Sequence, residues 1–238
     1  MQQFTSKTPL ARYRKDARHR GSMCRAMATL PEDEPVTDEA RERAGKFAAV
    51  AESSQRSVDT ITARAADVQR ADDILTDAKA LESVTRFRTK EAYEQARLDL
   101  TAAASDIVRT ILPIAPSLIA KGGIKRVIGL IEDGVAKLST PDAPESVRTE
   151  HAPVIERHLA RMREADLAED RAGAALSALR ASIVLFKAAQ QREREIAYGR
   201  LIELVGRADA EAYFLAARTR SSSVEDDAED EGEDEGES

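Results

Sequence analysis

Apolar and small residues recur at alternating steps of three and four along much of this chain. The clearest run is Ala44, Phe47, Ala51, Ser54, Val58, Ile61, Ala65, Val68, Asp72 and Leu75. That spacing keeps one helix face turned toward a neighbouring helix and predicts knobs-into-holes packing in a left-handed supercoil. Thr37, Asp38 and Glu39 follow Pro35 at its start, a capping hydroxyl and then acids at the positive end of the helix dipole. No Gly or Pro interrupts residues 48–112, so the end of this helix must come from subtler signals. Residues 83–89, Ser-Val-Thr-Arg-Phe-Arg-Thr, cluster β-branched and hydroxyl side chains and predict a turn, with Thr89 capping the next helix.

The second helix is expected over about 90–112, carrying Tyr93, Ala96, Leu100, Ala104, Ile107 and Ile111 on one face. Pro113 and Pro116 then remove backbone donors and push the preceding residues out of the helical region, so a break is expected there. Gly122 and Gly123 add a second flexible point before Ile124, Val127, Ile131, Val135 and Leu138 resume the stripe over about 117–138. Residues 139–146 form a loop by composition, and Pro153 suits the first turn of a last helix over about 153–218. Its apolar positions run from Ile155, Leu159 and Met162 through Leu176, Leu179, Ile183 and Phe186 to Ala197, Leu201, Leu204, Ala208 and Leu215. The polar segment 187–195 shifts the register by an extra step, and Gly173, Gly199 and Gly206 are places for a bend. The fold class expected is all-α: an elongated antiparallel helical bundle built of coiled-coil hairpins over 37–218.

Composition agrees with this and adds asymmetry. Of the 238 residues 33% are charged and 4% aromatic, with no Trp, which is a coiled-coil mix rather than that of an enzyme with a deep pocket. The net charge of -7 hides a basic start, where seven Lys or Arg face only Asp16 in residues 1–30, and an end in which residues 221–238 carry ten acids and no base. Both flanks are expected to be disordered, a basic arm over 1–36 and an acidic tail over 219–238. For residues 1–26 three readings stand side by side: an upstream start-site artefact with Met27 as the true start, a disordered basic arm, and an organellar presequence. The single cysteine, Cys24, rules out an intramolecular disulfide or a cysteine-based zinc site, and fits a cytoplasmic setting. Residues 110–120 are the longest uncharged run of the apolar middle, too short to span a bilayer, and no transmembrane helix is expected.

Candidate chemistry is thin. His151 and His158 lie seven residues apart beside Glu150 and Glu156, and His19 sits in the basic arm. Two turns separate the pair, too far to grip one ion, and no metal or cofactor is expected. Asp72 falls on the seam, while Asp166 and Glu169 fall where the last helix should point inward. They read better as register-setting partners of arginines such as Arg64, Arg70, Arg161 or Arg163 than as catalytic acids. Lys121-Gly122-Gly123-Ile124-Lys125-Arg126 could hold an anion at a helix N-terminus but lacks the P-loop spacing, and a tight interhelical connection explains the glycines equally well. Ser222 and Ser223 stand upstream of acids as modification sites.

No nucleophile stands with a partnered base. The function expected is therefore non-enzymatic: a cytoplasmic scaffold or adaptor that works by helix self-association or by binding another protein, such as one with a basic surface for the acidic tail. Nucleic acid is not an expected partner, since only the basic arm speaks for it. The alternative is a membrane-surface bundle that opens at the 113–123 break to expose its apolar middle.

Overall fold

The computed structural model describes residues 4–5, 7–30 and 36–215. Every regular element among them is helical, as the three-and-four spacing requires. The elements are α1 (Leu10–Ala28), α2 (Asp38–Ala103), α3 (Val108–Ile111), α4 (Pro116–Lys121), α5 (Ile124–Leu138), α6 (Glu145–Val205) and α7 (Arg207–Ala210), followed by a 3-10 turn at Glu211–Tyr213. The acidic tail and its serines lie outside the described residues. The chain divides into two compact units, one from Met1–Ala65 with Ile183–Ser238 and the other Ala66–Ser182, so both long helices contribute to each.

In the first unit, α1 replaces most of the expected disordered arm. Its buried positions are Tyr13, Asp16, Ala17, Arg20, Gly21 and Cys24, a seam of helical spacing that two charged residues disguise. Phe47, Val50 and Ala51 of α2 meet Ala197 and Leu201 of α6, with Cys24, Ala210, Tyr213 and Phe214 closing the same core. α6 ends at Gly206, whose φ of 81° favours glycine, and not near residue 218. The chain then turns so that Tyr213 stacks on Phe47, ring centroids 6.2 Å apart.

In the second unit, Tyr93, Leu100, Leu112, Ile119, Val127, Ile131, Leu138, Ile155 and Met162 form the core. The break expected at the prolines lies between α3, which ends at Ile111, and α4, which begins at Pro116, but α2 itself stops at Ala103 and not at the expected residue 112. The turn expected at residues 83–89 does not form: α2 runs through it without interruption. The reason lies in the hydroxyls. Thr85 donates to the Glu82 carbonyl at 2.8 Å and Thr89 to the Thr85 carbonyl at 2.7 Å, so both side chains are satisfied by the helix itself. They also occupy the seam, which continues through Ala78, Thr85, Thr89, Tyr93, Ala96 and Leu100, all buried.

α6 likewise begins earlier than expected, at Glu145, with Pro153 inside it. Proline lacks the N–H that would bond the Thr149 carbonyl. Both residues are exposed, so the carbonyl faces solvent and the proline costs less there than inside a core. The expected register shift falls where Arg194 enters the first unit's core, four residues after Gln190 and three before Ala197.

Candidate functional site

Among the described residues the most heavily buried charged groups belong to the first unit. The carboxylate of Asp16 accepts from Arg20 Nη1 at 3.1 Å, from Arg194 Nε and Nη2 at 3.0 and 3.2 Å, and from the Leu215 backbone N–H at 3.0 Å. Arg20 turns its Nε to Ser54 Oγ at 2.8 Å, and Ser54 passes its proton to the Val50 carbonyl. The Arg194 guanidinium lies over the rings of Phe4 and Phe214. Asp16, Arg20 and Arg194 are all under 4% exposed, and burial pulls the Arg20 pKa below its ordinary value, against the opposing pull of Asp16. Charges this deep are tolerated only when paired and hydrogen-bonded. The arrangement holds together α1, α2, α6 and the chain after α7, and it offers no open face to a substrate.

Sequence reasoning missed this cluster. The missing signal was the helical spacing of Tyr13, Ala17, Arg20 and Cys24, in which Arg20 occupies a seam position. His19, on the same helix, makes a ring-nitrogen hydrogen bond with the Ala212 carbonyl at 3.1 Å.

The second unit disperses the expected acidic layer. Asp72 pairs with Arg180 at 3.1 Å, with both side chains well exposed. That is a seam acid fixed by an arginine, as expected, although the partner is none of the four anticipated. Of those, Arg70 bonds Asp67, Arg163 bonds Glu132 and Arg64 lies over the Phe186 ring. Glu169 meets Glu82, and the hydrogen bond between the two carboxyls, with burial and the Glu82 and Asp166 charges, raises the Glu169 pKa against the pull of Lys79. Ten residues of α2, about 15 Å, separate Asp72 from Glu82, so the three acids form no single site.

The histidines are not brought to one ion either. His151, buried, bonds Asp99 at 2.8 Å. Burial, with the charges of Arg161, Arg157 and Arg88, lowers the His158 pKa. Among the described residues no group of three or more His, Cys, Asp and Glu converges as a metal site.

The Gly-Gly turn has a steric cause. A Cβ on Gly122 would lie 2.8 Å from both the Leu118 carbonyl oxygen and Val127 Cγ2. The Gly122 carbonyl accepts from Arg86 at 2.7 Å and Lys125 pairs with Asp170 at 3.0 Å, so two of the neighbouring bases are spent on the fold. The tight-connection reading accounts for these glycines.

What remains unexplained by packing is a surface. α6 contains an 18-residue stretch of mean hydropathy 1.4 of which 11% is buried, long and apolar enough by length and composition to cross a membrane. Arg180 and Lys187 are the only charges in residues 172–191, and they divide this part of α6 into short uncharged runs. Leu185 is 76% exposed and Val184 53%. Ala174, Ala178, Ala181, Leu185 and Ala188, again at steps of four and three, are all exposed. One helix therefore carries a buried seam and a second, open one. Contiguous exposed apolar surface of this kind marks interaction sites on soluble proteins.

No family model, no curated protein and no solved structure matches this chain.

Proposed function

We propose that this chain is a non-enzymatic scaffold or adaptor, an elongated antiparallel bundle of coiled-coil hairpins that works by offering helix faces to a second copy of itself or to another protein. The open apolar seam of α6 carries this reading. A helix that needed only its own fold would place charged residues there. The ionisable clusters lend support, because Asp16, Asp72 and His151 are each engaged in holding helices together. In this reading the acidic tail keeps the chain soluble or docks a basic partner surface, and the setting is cytoplasmic.

Light scattering over a concentration series tests the proposal. Self-association, or a stoichiometric complex with a purified partner, is expected. A compact monomer at every concentration that recovers no partner would sink it.

The membrane-surface alternative draws less support at the 113–123 break. Its opening would strip Ile111, Leu112, Ile119, Val127, Ile131 and Leu138 from the core. At about 1.5–3 kcal/mol per large apolar side chain, the loss approaches the whole stability of a domain. Liposome co-sedimentation at low salt decides, and vesicle binding would favour the alternative.

A further inference from the structure

We infer that the acidic tail of this chain, residues 225–237, docks on the basic outer face of its own α1. The inference goes beyond the scaffold reading, which neither requires it nor follows from it.

α1 has no acid in its first turn. The one acid along it, Asp16, is buried and taken up by Arg20, Arg194 and the Leu215 N–H. Ala11, Lys15, Arg18, Ser22 and Arg25 follow one another at steps of three and four and are all exposed, with Arg14 half-buried beside them. That stripe crowds positive charge toward the end of the helix dipole that favours anions. It also sets Arg14 and Arg18 four residues apart, where like charges repel. Arg25 bonds Ser22 and Gln55, both uncharged. On α2, in the same unit, exposed bases stand beside acids of their own helix, as Arg41 does with Asp38 and Lys46 with Glu42. α1 supplies no exposed acid of its own, and its outer face is left to an anion from outside the helix.

The end of the chain is brought to that face. Leu215, the last described residue, is pinned to α1 and its partner: its N–H bonds Asp16 Oδ1 at 3.0 Å and its carbonyl accepts from Arg194 Nη2 at 3.3 Å. The His19 ring holds the Ala212 carbonyl three residues earlier. From Leu215 to Glu225 is ten residues, a reach of at most about 36 Å. Arg14 and Arg25 lie about 3 and 14 Å from Asp16 along the helix axis, so both are within that reach. Residues 221–238 carry ten acids and no base, and Arg218 and Arg220 are the only bases between them and Leu215. Val224 and Ala228 are the only apolar side chains after Ala217, so charge and not apolar burial selects the surface. Single exposed ion pairs are weak, but the tether gives the tail an effective concentration on the order of millimolar at α1.

Paramagnetic relaxation in the full chain, with a nitroxide on Ser238→Cys, tests this. Cys24, buried with its thiol pushed up to about 11, stays unlabelled. At low salt the amides of residues 11–26 are expected to broaden, and to sharpen again at about 1 M salt, where the Debye length is about 3 Å. Arg14→Glu with Arg18→Glu is expected to abolish the broadening. So is replacing the ten acids of the tail by Gln or Asn, which leaves α1 as it is. Circular dichroism checks that each variant is as helical as the wild type. Broadening that survives in the neutral tail would come from the tether alone and would overturn the inference. Broadening confined to residues 121–137, or none anywhere, would overturn it too. A mixture of spin-labelled chains with unlabelled isotope-enriched ones should show no broadening; if it does, the tail docks on a second copy and the inference falls.

Discussion

Arg194 on α6 grips both carboxylate oxygens of Asp16 on α1, 178 residues earlier in the chain, at 3.0 and 3.2 Å in a site that water does not reach. An isolated pair of this kind returns little net stability, because both ions give up their hydration. Its physical effect is selectivity. Only the packing that brings Arg20, Arg194 and the Leu215 N–H to Asp16 together leaves none of these charges bare.

Removing one partner should therefore cost far more than a surface pair would. Asp16→Ala is expected to destabilise the first unit by about 3–5 kcal/mol, against less than about 1 kcal/mol for Asp38→Ala at the exposed Arg41 pair. Urea unfolding measures both. Equal effects would contradict the account.

A chain begun at Met27 loses Asp16, Tyr13, Ala17 and Cys24 from the core at one stroke. Hydrogen exchange should then quicken across residues 38–65 and 183–215, while residues 90–138 keep their protection. An unchanged pattern would make α1 dispensable, as the start-site reading of residues 1–26 requires.

Phe87 is 55% exposed in the middle of the segment that the sequence marks as a turn. Since α2 is continuous there, Phe87→Pro should cost about 3 kcal/mol or more through a lost hydrogen bond and a clash with the preceding turn. Phe87→Ala, which removes the same surface side chain, should be nearly neutral by comparison. A proline tolerated at this position would restore the turn.

The Glu169–Glu82 contact sets a pH dependence whose sign is fixed. The Glu169 pKa is raised in the folded chain from the ordinary 4.5, so the native state binds that proton more tightly than the unfolded one. Its contribution is fully present below the ordinary value and is lost as pH rises through the raised one. Glu169→Gln, neutral at every pH, should be more stable than the wild type at neutral pH, with the gap closing near about pH 4. Thermal melts at the two pH values check this.

Cys24 is fully buried and its thiol is pushed up to about 11 by desolvation, against the pull of Arg20. Thiol reagents at mildly alkaline pH should modify the native protein very slowly and the denatured protein at once. Fast native labelling would show that α1 does not stay packed.

The all-α class was legible because the three-and-four spacing from Ala44 to Leu75 admits no other reading. Where the prolines and Gly122 break that spacing, the break was legible too. Three features were not. Asp16 and Arg20 occupy seam positions of α1, and a charged residue at a seam looks from sequence like a solvated one until its partner, here Arg194, is known. Thr85 and Thr89 signal a turn by propensity, yet their hydroxyls bond back to carbonyls of their own helix, and their burial among core residues overrides the preference. The open face of α6 obeys the same step rule as its buried face, and spacing alone does not say which of two apolar stripes is covered. Only the exposure of Leu185 and Val184 separates them.

Sedimentation equilibrium of the wild type beside Ala181→Glu tests the central claim most directly, because that substitution sets a carboxylate in the centre of the open seam without touching the core. The account predicts a wild type that associates, with itself or with a purified partner protein, and a folded variant that does neither. A wild type that forms no complex of either kind, or a variant that associates as tightly as the wild type, would contradict it.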